Sequence, residues 1–330
     1  MSKNVKIGVV GVGHLGKYHV KHYSKIGDVE LVGIYDIDNL ESNKIAEQYG
    51  IRSFVNMDEM IRYVDAVSIV TPTKMHYDIA KIFLKEKKHV LIEKPITRTV
   101  NEADELIEIA KKNNVLIQVG HIERFNPALY PLKDLDLNPR YIEIQRLAPY
   151  TSRGTDVPVV LDLMIHDIDL ALSLVGSTVN GIQANGVSIM TNSIDIANAR
   201  LSFENGAIAN ITSSRIAKDK VRKIKIFQQD LYITIDFSAS ITEIYRAMDA
   251  DQNDDKALMS APMETNGKQR QIFYEKPMIK SKDALRYELL NFLESIQSHK
   301  VPIVDGVAGR NALEIAIKIQ NKIIEGKNGY

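Results

Sequence analysis

Asp162, His166 and Asp169 stand at i, i+4 and i+7 of the run Val159–Leu170, a spacing that puts side chains on one face of a helix. The rest of the run is apolar around most of its circumference, which predicts a buried helix. Burying carboxylates and imidazoles is unfavourable unless they are paired. An Asp–His pair has a chemical use as well: the carboxylate orients the imidazole, which then takes a proton from an alcohol. A structural polar network under a sheet is the other reading of the same three residues. Glu93-Lys94-Pro95 follows an apolar run that reads as a strand. A lysine held there would stabilise an alkoxide as hydride leaves its carbon. Taken alone, a lysine at a strand end is more often a solvated surface residue.

Such chemistry needs a hydride acceptor, and the N-terminus supplies a place for one. Gly11-Val12-Gly13-His14-Leu15-Gly16 follows the first predicted strand and opens the first helix. Gly11 permits the tight turn, Gly13 the approach of a pyrophosphate, and Gly16 close packing of helix on strand. The helix N-terminus, at His14 and Leu15, stabilises the anion. Asp36 ends the second predicted strand, where it can accept hydrogen bonds from the ribose hydroxyls and repel a 2′-phosphate. No arginine adjoins it, so NAD is expected rather than NADP. Thr71-Pro72-Thr73, with His76 just inside the next helix, also follows a strand and should border the cofactor. Plain helix capping accounts for the two threonines equally well.

The elements that must position these residues can be read from the apolar periodicity. The first 120 residues alternate unbroken apolar strands with amphipathic helices. That pattern predicts a right-handed, doubly wound parallel sheet in an α/β Rossmann domain, residues 1–120. The rhythm then changes. One apolar helix is expected at Val159–Val175, stopped by Gly176. After it come strand candidates at Gly181–Met190, Asp195–Phe203, Ala207–Ser214, Arg222–Gln228, Leu231–Phe237, Ile241–Arg246 and Gln271–Glu275. These predict an α+β second domain, residues 121–330, with an open, mainly antiparallel sheet. The polar stretch 249–270 reads as a mobile loop. Helices are expected at Asp283–Ser298 and Val307–Ile324, the last packing back on the first domain.

Composition narrows the function classes. The 330 residues include 42 Lys plus Arg and 42 Asp plus Glu, so no global field draws the chain to nucleic acid or an anionic membrane. The absence of cysteine excludes disulfides, thiolate catalysis and thiolate-held zinc, and suits a cytoplasmic protein. No apolar run reaches the roughly 18 residues of a membrane helix. No metal site is expected.

Taken together, the glycine turn, Glu93-Lys94-Pro95 and Asp162-x-x-x-His166 resemble the Gfo/Idh/MocA oxidoreductases over nearly the whole chain. The resemblance implies that Lys94, Asp162 and His166 form the catalytic set. It also implies that the second-domain sheet serves as an oligomer interface, in a homodimer or homotetramer. A narrower resemblance, carried by Gly120–Pro127 and Arg153–Asp167, is to UDP-N-acetylglucosamine 3-dehydrogenases. It implies a nucleotide-sugar substrate oxidised at its 3-hydroxyl, with Arg124, Asn126 and Arg153 as substrate contacts. Arginine suits a diphosphate because its planar fork donates two hydrogen bonds at once. Ion pairing of Arg124 with Glu123 and of Arg153 with Asp156 is the competing account. Oxidation of a free sugar or polyol such as inositol, and a non-catalytic NAD-dependent regulator, are the alternative functions.

Overall fold

The computed structural model describes residues 4–151, 157–265, 267–279 and 283–327. The first series of apolar runs becomes β1 (Val5–Val10), β2 (Val29–Tyr35), β3 (Arg52–Ser53), β4 (Ala66–Ile69), β5 (His89–Glu93) and β6 (Ile117–Gly120). They pair in parallel in the order β3-β2-β1-β4-β5-β6. The helices between them are α1 (His14–Tyr23), α2 (Asn39–Tyr49), α3 (Met57–Ile61), α4 (His76–Lys85) and α5 (Val100–Asn113). Local chemistry fixes their starts: the Asp38 carboxylate accepts from the Leu40 and Glu41 N–H groups, and Thr99 and Glu102 form a reciprocal capping box. The strand order reverses between β1 and β4, which opens a ligand crevice at their carboxyl ends.

The chain divides into two compact units, Met1–Phe125 with Asp283–Glu314, and Asn126–Lys282 with Ile315–Tyr330. This differs from a cut at residue 120 in the placement of α7 (Ala284–Ser298). Leu285, Leu289, Phe292, Leu293 and Ile296 of α7 share a core with Val5, Ile7 and Val9 of β1 and with Val20 and Tyr23 of α1. The final helix, α8 (Gly306–Lys327), begins in the first unit. There Gly309 lies against Val119, and Arg310 Nε bonds Asp104 at 2.9 Å.

In the second unit, β7 (Tyr141–Leu147) precedes α6 (Ile165–Val175). Eight strands follow: β8 (Val179–Val187), β9 (Ile196–Phe203), β10 (Ile208–Ser214), β11 (Val221–Gln228), β12 (Leu231–Asp236), β13 (Ile241–Asp249), β14 (Met259–Thr265) and β15 (Lys268–Glu275). The sheet order is β14-β15-β13-β12-β11-β7-β10-β9-β8, antiparallel except where β7 runs parallel to β10. Ile142, Ile144, Ile224, Ile226, Ile233 and Ile235 form its buried face.

Two expectations are corrected here. The stretch 249–270 is not simply a loop, because β14 lies within it and pairs with β15, which extends the strand expected at Gln271–Glu275. Most of β14 is exposed and it carries Pro262, so an edge strand looks polar in sequence. The helix expected from Val159 begins instead as a π-helical turn, Val160–Met164, closed by Ile165 N–H donating to Val160 O, and becomes α-helical only at Ile165. On the open face of β9 and β10, polar side chains pair across the strands. Asn198 bonds Thr212 and Arg200 bonds Asn210 there.

Candidate active site

The nucleotide half of the site lies at the carboxyl edge of the parallel sheet. Gly11 has φ +90°, and a Cβ on it would come within 2.6 Å of the Val70 carbonyl oxygen. A Cβ on Gly16 would overlap the Gly11 carbonyl, whereas one on Gly13 would meet nothing within 4 Å. Gly13 is the N-cap of α1 and sets no side chain over the first turn, where His14 and Leu15 are exposed. Gly11 and Gly16 are thus required by backbone and packing. Gly13 leaves the space that a pyrophosphate needs before a helix N-terminus. Asp36 is fixed by two backbone donors: Val12 N–H to Oδ2 at 2.6 Å and Asp38 N–H to Oδ1 at 2.9 Å. Thr71 and Thr73 are half-buried and Pro72 exposed at the end of β4. Among the described residues, Thr71 Oγ1 has no hydrogen-bond partner. These features fit a bound dinucleotide.

Glu93, Lys94 and Pro95 end β5. The Glu93 side chain is turned inward, where Gly120 leaves room for it: a Cβ on that glycine would lie 2.9 Å from the carboxylate. One oxygen of Glu93 is 3.3 Å from Nε2 of the fully buried His19, and the other accepts from the Lys94 N–H at 3.3 Å. Lys94 itself is half-buried. His76 is buried, with Nδ1 2.9 Å from the Pro95 carbonyl and Nε2 2.8 Å from that of Thr71. Burial lowers its pKa, against the opposite pull of those carbonyls and of Glu93. Behind this loop, Glu288 of α7 is fully buried. Desolvation, and then the Glu93 charge, hold its pKa well above the usual carboxylate range.

In the second unit, Asp162 and His166 are half-buried on either side of the π-to-α junction, and Asp169 is buried. The wider π turn shifts Asp162 from strict α-helical alignment with His166. A pair that spacing alone does not single out holds this helix. Arg146 of β7 donates from Nε to both oxygens of Asp167, at 3.0 and 2.9 Å, with both residues buried. Its second nitrogen reaches Oδ1 at 2.7 Å. The pair turns Asp167 toward the sheet and so leaves its neighbour His166 about 100° round the helix. The legible signal for it was an arginine at an inward position of an alternating strand.

Of the expected substrate contacts, Arg124 donates to the Ile303 carbonyl at 3.3 Å, and Asn126 caps a short helical segment by accepting from Ala128 N–H. Arg153 lies outside the described residues, as does Asp156. No described helix is long and apolar enough to cross a membrane.

Comparison with known proteins adds the following. Residues 5–121 match the profile of an oxidoreductase family with an NAD-binding Rossmann fold, GFO/IDH/MocA. Residues 140–234 match the GFO/IDH/MocA C-terminal domain. The chain is 36% identical over 318 residues to the UDP-N-acetylglucosamine 3-dehydrogenase of Acidithiobacillus ferrooxidans, covering 96% of each protein. A solved structure of that enzyme aligns over 97% of both chains with a TM-score of 0.87 and 35% identity. Identity to the myo-inositol 2-dehydrogenase of Thermotoga maritima is 26% over 344 residues, 98% of each.

Proposed function

The chain belongs to the GFO/IDH/MocA family of NAD-binding oxidoreductases, and on that premise we propose that it oxidises the 3-hydroxyl of a UDP-N-acetylglucosamine-type nucleotide sugar to a ketone. The full-length similarity to an enzyme named for that reaction carries the reading. NAD, when bound, supplies the hydride acceptor. His166, oriented by Asp162, takes the hydroxyl proton. Lys94 stabilises the alkoxide as charge develops on oxygen. Arg124 and Arg153 suit the diphosphate and Asn126 the sugar. Incubation with NAD and a panel of UDP-sugars should give reduced cofactor and a product two hydrogens lighter. Turnover of inositol but of no UDP-sugar would transfer the assignment to a polyol dehydrogenase. A cytoplasmic location suits this cysteine-free chain.

NAD is favoured over NADP because the Asp36 carboxylate, held by two amides, offers acceptors to the ribose diol and repels a 2′-phosphate. Asp36→Ala is expected to weaken NAD binding by roughly 1.5–3 kcal/mol and to narrow the preference over NADP. Calorimetric titration with both cofactors measures this, and equal affinity of the wild type for the two contradicts it.

A homodimer or homotetramer through the second-unit sheet is the proposed assembly. Its support is a line of rings on the open face: Tyr141, Phe227, Tyr232, Tyr245 and Tyr274, with successive centroids 5.7, 4.6, 5.4 and 5.1 Å apart. Such a stripe is typical of interface cores. Light scattering at micromolar concentration should report a multiple of the 37.1 kDa chain, and a monomer would rule the assembly out.

A further inference from the structure

His76 opens α4, whose Ile79, Ala80, Phe83 and Leu84 are buried, so its ring is carried on a firmly packed element. Both ring nitrogens face backbone carbonyls, of Pro95 at 2.9 Å and Thr71 at 2.8 Å. A carbonyl oxygen only accepts and a neutral imidazole carries one N–H, so the ring donates to one carbonyl while its other nitrogen lies against the second, and neither nitrogen is left open to a cofactor. The two carbonyls belong to the loops that end β5 and β4. Pro95 directly follows Lys94. On the other side of Lys94, its N–H is bonded to Glu93, whose carboxylate also meets His19. The backbone around the lysine is therefore gripped from both neighbours, and His76 touches both loops.

We propose that His76 is a positioning residue with two separable effects. Through the Pro95 carbonyl it sets Lys94 for turnover, and through the Thr71 carbonyl it sets the loop beside the cofactor. The proposal rests on the reading that Lys94 acts at the substrate oxygen.

The side-chain amides separate the two contacts. The asparagine nitrogen occupies nearly the place of Nδ1, and that of glutamine nearly the place of Nε2. His76→Asn keeps the Pro95 contact and loses that of Thr71, and His76→Gln does the reverse. With NAD and UDP-N-acetylglucosamine, His76→Asn should hold kcat within about threefold of wild type and raise KM for NAD. His76→Gln should hold that KM and lower kcat about ten- to a hundredfold, the scale of a misplacement near 1 Å. NAD affinity by calorimetry needs no turnover and should fall in the Asn variant only. Equal effects of the two variants on both quantities would overturn the proposal. Lys94→Ala distinguishes its failure from that of the underlying reading. If Lys94→Ala turns over like wild type, the reading falls and the proposal with it. If Lys94→Ala is impaired while the two His76 variants behave alike, only the positioning role falls.

Discussion

Replacing His166 with alanine is expected to slow sugar oxidation about a hundred- to ten-thousandfold, the usual worth of a general base, with NAD affinity little changed. The hydroxyl of a sugar is a very weak acid, so hydride cannot leave its carbon until oxygen sheds its proton or a cation meets the developing charge. On the proposed reading, His166 provides the first and Lys94 the second. The wild-type rate should therefore rise with pH as the imidazole loses its proton, and the alanine variant should lack that limb. Asp162→Asn should cost less, since it keeps the shape beside the ring and changes only its orientation and basicity. Lys94→Ala should lower kcat more than it weakens NAD binding, because its contribution belongs to the transition state. Single-turnover formation of reduced cofactor measures each effect. A His166→Ala enzyme with the wild-type rate and pH profile would make Lys94 the base.

The second large effect is on stability. Glu288 is fully buried, and among the described residues neither of its side-chain oxygens has a hydrogen-bond partner. Its pKa is held well above the ordinary value by desolvation and by Glu93. The native state thus keeps a proton that the unfolded chain releases above about pH 4.3. In that window the native protein binds more protons than the unfolded one, so this group's contribution is present in full at low pH and is lost as pH rises toward the folded value. Glu288→Gln is nearly isosteric and does not titrate. Its stability advantage over wild type should grow by about 1.4 kcal/mol per pH unit from pH 5 upward, levelling once the folded value is passed. Paired urea denaturations across pH 5–8 measure the difference, in which the groups common to both proteins cancel. A difference independent of pH would show that Glu288 ionises normally in the native state.

What could be read from the sequence follows from how local each signal is. Gly11 and Gly16 announced themselves because turn and helix packing act within a few residues, and the structure gives each a clashing neighbour where a side chain would go. The parallel sheet was legible because strands buried on both faces lack polar alternation, as all four residues of β4 show. Gly176 marked the end of α6 by its left-handed conformation, φ +61°. Contacts distant in sequence were not legible. Arg146 and Asp167 meet across 21 positions, and although the alternation of β7 marks Arg146 as inward-facing, nothing local names its partner. Glu288 looks like a surface residue of an amphipathic helix until α7 is seen against β1 and α1. His76 has the position of a cofactor contact in sequence, yet its ring faces two carbonyls, one of them 19 residues away. β14 escaped notice, although its partner strand at Gln271–Glu275 was expected, because an exposed edge strand has no apolar face to reveal it.

The central claim, hydride abstraction from carbon 3 of a UDP-N-acetylglucosamine-type sugar, is tested most directly with substrate deuterated at that carbon. After incubation with NAD, mass spectrometry of both products follows the label. The account predicts reduced cofactor that carries the deuterium, and a UDP-linked 3-ketone that has lost both it and the hydroxyl proton. Reduced cofactor without the label, or none from any UDP-sugar while free inositol is oxidised, would contradict it.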